Sequence, residues 1–381
     1  MSDMSIEEHF NSNLMKQIRA EMESGVPGEA VNKYCNKCIY HEKTGVTSRR
    51  QHRIEQLNSC TSPFLTGIST IIQHSLENVH INLQDMKFYS MEFKFFGNLC
   101  NLKCMMCHPH QSSSLAVEWK KDGRWKGPTH INTYHDINQE KFWEEMDIML
   151  PNTNELKFTG GEPLMNNDIL DMLNYCVEKG YSQSLVLVMI TNGTKLPDNF
   201  LSLLGEFKSV KMNISLDGVF EVNDYQRVGS KFEVIDKHIN ELLKYKNVDV
   251  QLTTAITAIN AGNIRNIINY AKHKKIYADI SNIVLKPNHI SLHVLPKHIR
   301  ELFAERLNGI APQVEAALRY DDPEAEKLFP AFIQSLRNKD TRDGTNFLNI
   351  IPELKDELRE TIDVRTVHTV NDSLQSIHPT E

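Results

Sequence analysis

From residue 91 to residue 295 the chain alternates short apolar runs with amphipathic stretches, and this rhythm restricts the fold more than any other feature. Strand-like runs fall at 91–96, 155–159, 185–190, 210–216, 248–258, 280–285 and 290–295. Helical periodicity falls between them at 112–120, 139–150, 167–179, 198–207, 232–245 and 263–274. Antiparallel strands need only a tight turn between them, whereas a strand that returns parallel needs a crossover of helix length. The chain is therefore expected to be α/β, with right-handed βαβ units winding a parallel sheet. In such sheets the ligand sits at the C-terminal ends of the strands.

Those ends carry unusual text. The first is followed by Gly97-Asn-Leu-Cys-Asn-Leu-Lys-Cys-Met-Met-Cys-His-Pro-His110, the second by Gly160-Gly-Glu-Pro163 and the third by Thr191-Asn-Gly193. The fourth closes with Ser215-Leu-Asp-Gly218. Three of the seven cysteines, Cys100, Cys104 and Cys107, fall within eight residues. Such crowding points to a metal or cluster. Three thiolates are one short of the usual iron–sulfur set. Either His108 or His110 completes a zinc site, or a coordination position is left open for chemistry.

The flanks read differently. Residues 1–85 form an opening segment, with helical spacing over 5–23, a stop at Gly25-Val-Pro-Gly28, then Cys35-Asn-Lys-Cys38 and, further on, Cys60. After Pro296 the text is helical and charged over 297–308, 312–320, 323–337 and 352–362, and 364–381 reads as a frayed tail. The expected division is 1–85, 86–295 and 296–381. With 40% hydrophobic and 24% charged residues the chain has material for a proper core. A formal charge of −7 argues against a general nucleic-acid binder. No apolar run approaches the ~20 residues of a membrane span, and residues 1–10 lack a secretory apolar core. Seven cysteines without framework spacing suit a reducing compartment. The expectation is a cytoplasmic protein without membrane or nucleic-acid partners.

Cys-x3-Cys-x2-Cys after the first strand and Gly-Gly-Glu-Pro after the second, with the later Thr-Asn-Gly and Ser-Leu-Asp-Gly, resemble the radical S-adenosylmethionine superfamily over roughly residues 90–295. The resemblance implies a partial (β/α)6 barrel with a short N-terminal segment and a C-terminal helical extension. It implies a [4Fe–4S] cluster on Cys100, Cys104 and Cys107, with the methionine moiety of S-adenosylmethionine on the fourth iron. The implied cofactor contacts are Met106 beside the adenine, Gly160 and Gly161 close to the ligand, Glu162 at the α-ammonium, Asn192, Ser215 and Asp217 near ribose and carboxylate, and Arg227 at the carboxylate. From the residues alone, the Gly160–Pro163 text can also be a plain turn, Asn192 a turn residue and Arg227 a solvated loop arginine. His289 and His293 near the last strand carry no assigned role.

Cys35-x2-Cys38 followed by Glu42, Gly45, Ser48 and Arg49 resembles the end of a twitch domain, the cluster-binding module of a radical subgroup related to peptide modifiers. The chain starts too late to contain that module's upstream hairpin, so the twitch portion is expected to be truncated. Cys35, Cys38 and Cys60 then stand as an auxiliary iron–sulfur or zinc site. The activity implied is reductive cleavage of S-adenosylmethionine and hydrogen abstraction from an unidentified substrate, with a peptide or protein favoured. The electron comes from a one-electron donor such as flavodoxin or ferredoxin. Two alternatives stand beside it: a non-catalytic zinc- or cluster-binding interaction protein, and radical modification of a nucleotide or small molecule.

Overall fold

The computed structural model describes residues 5–43, 48, 50, 51, 55, 80, 82–94 and 96–360. Cys60 and the stretch 364–381 lie outside the described residues. Six strands form one sheet in the order β1 (Phe88–Phe93), β3 (Thr153–Phe158), β4 (Val186–Thr191), β5 (Ser209–Ser215), β7 (Val248–Ile256) and β8 (Tyr277–Ile283). Every neighbouring pair is parallel. Order in space equals order in sequence, so the sheet winds in one direction. Right-handed crossovers then place the helices on one face, and the sheet curls around the other. The result is the expected partial (β/α)6 barrel, with a helical region after it. A separate antiparallel clip joins β2 (Lys103–Cys104) to β6 (Arg227–Val228).

Side-chain chemistry explains the layers. β4 buries Val186, Leu187, Val188 and Met189 in succession, as a central strand covered on both faces must. β5 alternates, sending Val210, Met212 and Ile214 to the helical side. The crossover helix Asn167–Glu178 starts where the Asn166 side chain accepts from the Asp168 amide, and it buries Ile169, Leu170, Met172, Leu173 and Cys176. Around the sheet the N-terminal helices dock by Ile6 N donating to Glu145 (2.9 Å), with Glu7 accepting from Leu83 N (3.0 Å). In the C-terminal region the buried Arg300 donates to the carbonyls of Leu295, Leu318 and Tyr320 and so ties three segments together. Among the described residues no helix is long and apolar enough to cross a membrane.

Three expectations need correction. The first strand begins at Phe88 and ends at Phe93, while Phe96 turns in to pack on Phe93 and Tyr134. The run 290–295 is no strand. It forms two single turns, Asn288–Ile290 and Leu292–Val294, whose Ile290, Leu292, Val294 and Leu295 are all buried. Burial explains its apolar text as well as a strand would. The stretches read as helices over 198–207 and 323–337 each break. The first shortens to Asp198–Leu201 with a turn at Leu204–Glu206. The second stops at Glu326 and restarts as Phe329–Asp343, because Pro330 fits only the first turn of a helix.

The sheet face away from the helices carries ion pairs: Glu92 to Lys157 (3.2 Å) across β1 and β3, and Lys211 to Glu155 (2.8 Å). Burial pushes the Glu92 pKa up, but Lys157 and Lys94 outweigh it and bring the value to about 2. A carboxylate depressed from 4.5 in this way stabilises the fold above about pH 4.5, and the contribution is lost as pH falls toward 2. Glu92→Gln is therefore expected to lower stability near pH 7 and to flatten its fall between those two pH values, read by denaturant unfolding. An unchanged acid limb would contradict it.

Candidate active site

The three clustered cysteines sit on a loop whose backbone is tied down at several points. Gly97 takes φ +106°, and a Cβ there would lie 2.0 Å from the Ile131 carbonyl oxygen. The buried Asn98 then exchanges bonds with Ile131 and donates to the Pro109 carbonyl (2.9 Å). Cys100 N donates to Ser113 Oγ, and Ser112 Oγ donates to the Leu102 carbonyl, so the loop is wound onto the start of helix Ser113–Lys121. Cys107 N returns to the Cys104 carbonyl (3.0 Å).

All three thiols are affected by this enclosure. Burial pushes Cys104 up to about 12 and Cys107 to about 11, and raises Cys100 as well. The sulfurs of Cys104 and Cys107 also sense neighbouring sulfurs as like charges, while Arg227 favours each thiolate. Polar donors approach them: Leu102 N and Asn192 Nδ2 lie 3.5 and 3.8 Å from Cys100 Sγ, and Arg227 Nη1 lies 3.9 Å from Cys104 Sγ. Three buried thiolates held together without a counter-charge are costly. A cationic iron centre removes that cost, and the donor set fits a cluster bound by three cysteines. Among the described residues no group of three His, Cys, Asp or Glu is placed to hold a single metal ion. His108 and His110 stack on each other at 5.0 Å and stand edge-on to Trp125.

The Gly160–Pro163 turn is more than a turn. Gly161 N donates to the Gly97 carbonyl (3.1 Å) and Glu162 N to the Leu99 carbonyl (2.6 Å), so the turn grips the cysteine loop. A Cβ on Gly161 would lie 2.2 Å from the Leu99 carbonyl oxygen, which leaves glycine as the residue that fits. Glu162, 1% exposed, accepts from Leu164 N (3.0 Å), Thr191 Oγ1 (2.6 Å) and Asn192 N (2.7 Å). Burial raises its pKa against those three bonds. A carboxylate has about four acceptor positions, so one is left for a ligand. Asn192 in turn bonds Asn101 Oδ1 (3.0 Å) and Thr194.

Arg227 is not a solvated loop arginine. It is buried, with Nη2 donating to Asp217 Oδ1 (3.1 Å) and Nε 2.7 Å from Asp217 Oδ2, an ion contact without a linear hydrogen bond. Burial opposes its charge, yet Asp217 and Cys104 more than compensate and raise its pKa. Asp217 itself is fully buried and also accepts from Ala255 N (2.7 Å). Ser215 ends β5 half-buried, and Met106 is partly buried against the core.

Sequence reasoning missed two supports. The clip sets Cys104 opposite Arg227, and Met105 N donates to the Gln226 carbonyl (3.0 Å). Behind it, buried Asn260 donates to the Asp217 and Ala255 carbonyls, and Thr257 Oγ1 to Gln226 Oε1. Helix Phe329–Asp343 braces both strands of the clip. Asp340 accepts from Tyr225 OH (3.0 Å) and Lys339 Nζ lies 3.8 Å over the Tyr225 ring. Arg342 pairs with Glu118, which holds Lys103 at 2.7 Å. The polar residues Thr257 and Asn260 were the available signal, as they lie in largely apolar text at the end of β7.

In the opening segment, Cys35 caps helix Glu29–Tyr34 and its carbonyl accepts from Cys38 N (3.0 Å). Burial, then the charge of Cys38, raises the Cys35 pKa. Nearby, Arg50 pairs with Glu42 (2.6 Å), which also accepts from Ser48 Oγ. Cys60 lies outside the described residues. Cys176 is a buried thiol of the helix Asn167–Glu178, pushed up to about 12.

A parallel half-barrel whose rim gathers three thiols, a buried carboxylate and a buried arginine is the frame of a cofactor-dependent enzyme. Residues 95–273 match the family model of the Radical SAM superfamily. An uncharacterised protein of Methanocaldococcus jannaschii is 26% identical over 177 residues, 45% of this chain and 55% of that protein. The 7,8-dihydro-6-hydroxymethylpterin dimethyltransferase of the same organism is 25% identical over 177 residues, 46% of this chain and 32% of that one. The chain thus spans about half or less of these curated relatives. Streptococcus suis SuiB bound to precursor peptide SuiA superposes at a TM-score of 0.40 with 13% identity, over 73% of this chain and 60% of that one. Over residues 95–273 the barrel is similar to the radical SAM superfamily, whose members are enzymes carrying a [4Fe–4S] cluster and S-adenosylmethionine.

Proposed function

We propose that this chain is a radical enzyme acting on a peptide or protein, with Cys100, Cys104 and Cys107 as the cluster ligands. The supporting observation is the locking of those three cysteines to the other strand ends: Gly161 and Glu162 grip the loop, and the clip sets Arg227 against Cys104. When bound, the cluster and S-adenosylmethionine supply one-electron reductive cleavage to methionine and a 5′-deoxyadenosyl radical, the species that abstracts hydrogen from substrate. The protein's part is to hold and exclude. Arg227 offers its remaining donors to a carboxylate, in the fork geometry that suits one. Glu162 offers its last acceptor position to an ammonium, and Met106 gives a polarisable apolar wall for a base. Ser215 and Asn192 supply polar contacts at neighbouring strand ends. The peptide reading rests on the twitch-like text around Cys35 and Cys38.

The test is anaerobic reconstitution with iron and sulfide, then incubation with S-adenosylmethionine and a reductant. Protein-dependent release of 5′-deoxyadenosine is expected, by mass. A protein that takes up zinc in place of iron and releases none would sink the reading.

A further inference from the structure

The clip is too small to hold itself. It pairs two residues with two, Lys103 with Val228 and Cys104 with Arg227. Cys104 and Arg227 stand 123 positions apart in the chain, so no turn joins the two strands. Even a complete two-stranded hairpin is marginal in water. The clip must be set from outside. One set of anchors comes from the sheet: Gln226 accepts from Met105 N through its carbonyl and donates through Nε2 to the Ala255 carbonyl (3.0 Å). A second set comes from the end of helix Phe329–Asp343.

That helix is held in two ways. Its earlier turns bury Ala331, Phe332, Ile333 and Leu336, contacts that have no direction. Its last turn carries charged groups instead, and they reach both strands of the clip. Asp340 accepts from the hydroxyl of Tyr225 (3.0 Å), two residues before Arg227. It also accepts from Thr345 Oγ1 (2.6 Å) and Phe347 N (2.7 Å), where the chain leaves the helix. Lys339, 3% exposed, lies over the Tyr225 ring and pairs with Asp343 (3.1 Å). Arg342 Nη1 lies 3.1 Å from one oxygen of Glu118, whose other oxygen takes Lys103 Nζ (2.7 Å), one residue before Cys104. The Arg342–Glu118 pair is partly exposed and weak by itself. The bond from buried Tyr225 to a charged acceptor is the stronger anchor.

We propose that Tyr225, Asp340 and Arg342 are positioning residues, through which the C-terminal helix sets the clip and with it the place of Cys104 opposite Arg227. The site is then formed before any cofactor enters. In the cluster-free protein the clip opens rarely, and Cys104 stays covered. The consequence for the loaded protein deepens the cofactor reading above and rests on it: donors already in place need no ordering when a ligand binds, and affinity gains by that much. A brace with a purely structural role would stabilise the whole chain and leave no separate mark at Cys104.

The probe is iodoacetamide on the full, cluster-free chain, with labelling of Cys104 and of the buried helix thiol Cys176 read separately by mass spectrometry. Tyr225→Phe/Arg342→Ala is expected to speed labelling of Cys104 by roughly tenfold, the worth of a hydrogen bond to a charged group where local opening limits access. Cys176 should label at the wild-type rate. Tyr225→Phe alone keeps the ring beneath Lys339, guards against misfolding, and is expected to show most of the increase. Arg342→Lys keeps a cation for Glu118 and should show little. In the reconstituted double variant, KM for S-adenosylmethionine is expected to rise by a similar factor, with kcat and iron content held. Unchanged Cys104 labelling in Tyr225→Phe and in the double variant overturns the proposal. So does an equal rise at Cys104 and Cys176, the sign of a chain loosened throughout, and so does a KM left at the wild-type value. The labelling needs no cofactor, so failure of the cofactor reading has a separate sign: wild-type protein without iron and sulfide after reconstitution.

Discussion

Cys104→Ala is expected to lose most of its iron and sulfide on anaerobic reconstitution and to release no 5′-deoxyadenosine above background. Cys104 is buried and faces Arg227 across the clip, with the guanidinium 3.9 Å from its sulfur. Removing that sulfur leaves two cysteines for a centre that needs three protein ligands, and it takes away the sulfur that faces Arg227 across the clip. The control is Cys176→Ala. Cys176 is equally inaccessible, but it lies in the helix Asn167–Glu178 among apolar neighbours. That change should cost on the order of 1 kcal/mol as a small core cavity and leave iron uptake intact. Wild-type product formation by the Cys104 variant would remove the loop from the chemistry. Equal iron loss in both variants would mean that stability, not ligation, was being read.

What the sequence made legible was the periodic part. Strands and helices announce themselves through side-chain period, and the six barrel strands lie within about three residues of the bounds their text suggests. The strand-end motifs were legible for a related reason, since Gly160, Gly161 and Cys100 are residue types with few ordinary uses together. The 290–295 run misled because an apolar segment reads alike whether it is paired in a sheet or buried in turns. The clip was invisible: two residues at 103–104 pairing with two at 227–228 leave no period at all. Arg227 could not be told from a surface arginine for the same reason. Its burial depends on Asp217, ten residues earlier, and on strand β7 beyond, and no local pattern encodes that meeting. The brace from Lys339, Asp340 and Arg342 lies further still along the chain and looks in sequence like any charged helix face.

The Asp217–Arg227 pair is the part of this arrangement where a single change should act on fold and site together. Asp217→Ala removes both carboxylate oxygens from beside a buried guanidinium and also strands the Ala255 amide that donates to Oδ1. Breaking a buried pair from one side costs about 3–5 kcal/mol, because the surviving charge has no water to turn to. Arg227 keeps its neighbours Cys104 and Cys107, but as thiols pushed up to about 12 and about 11 they are neutral near pH 7 and cannot replace the carboxylate. The loss should therefore be largest in the cluster-free protein and smaller once the cysteines hold iron, when anionic sulfur stands beside the guanidinium. Urea unfolding of both forms reads the difference. The arginine should also swing away from Cys104, so affinity for S-adenosylmethionine in the reconstituted variant is expected to fall by about tenfold or more, the loss of one charge-assisted contact. A variant as stable as the wild type would show that water reaches Arg227, and its role in holding a carboxylate at this rim would then fall with its burial.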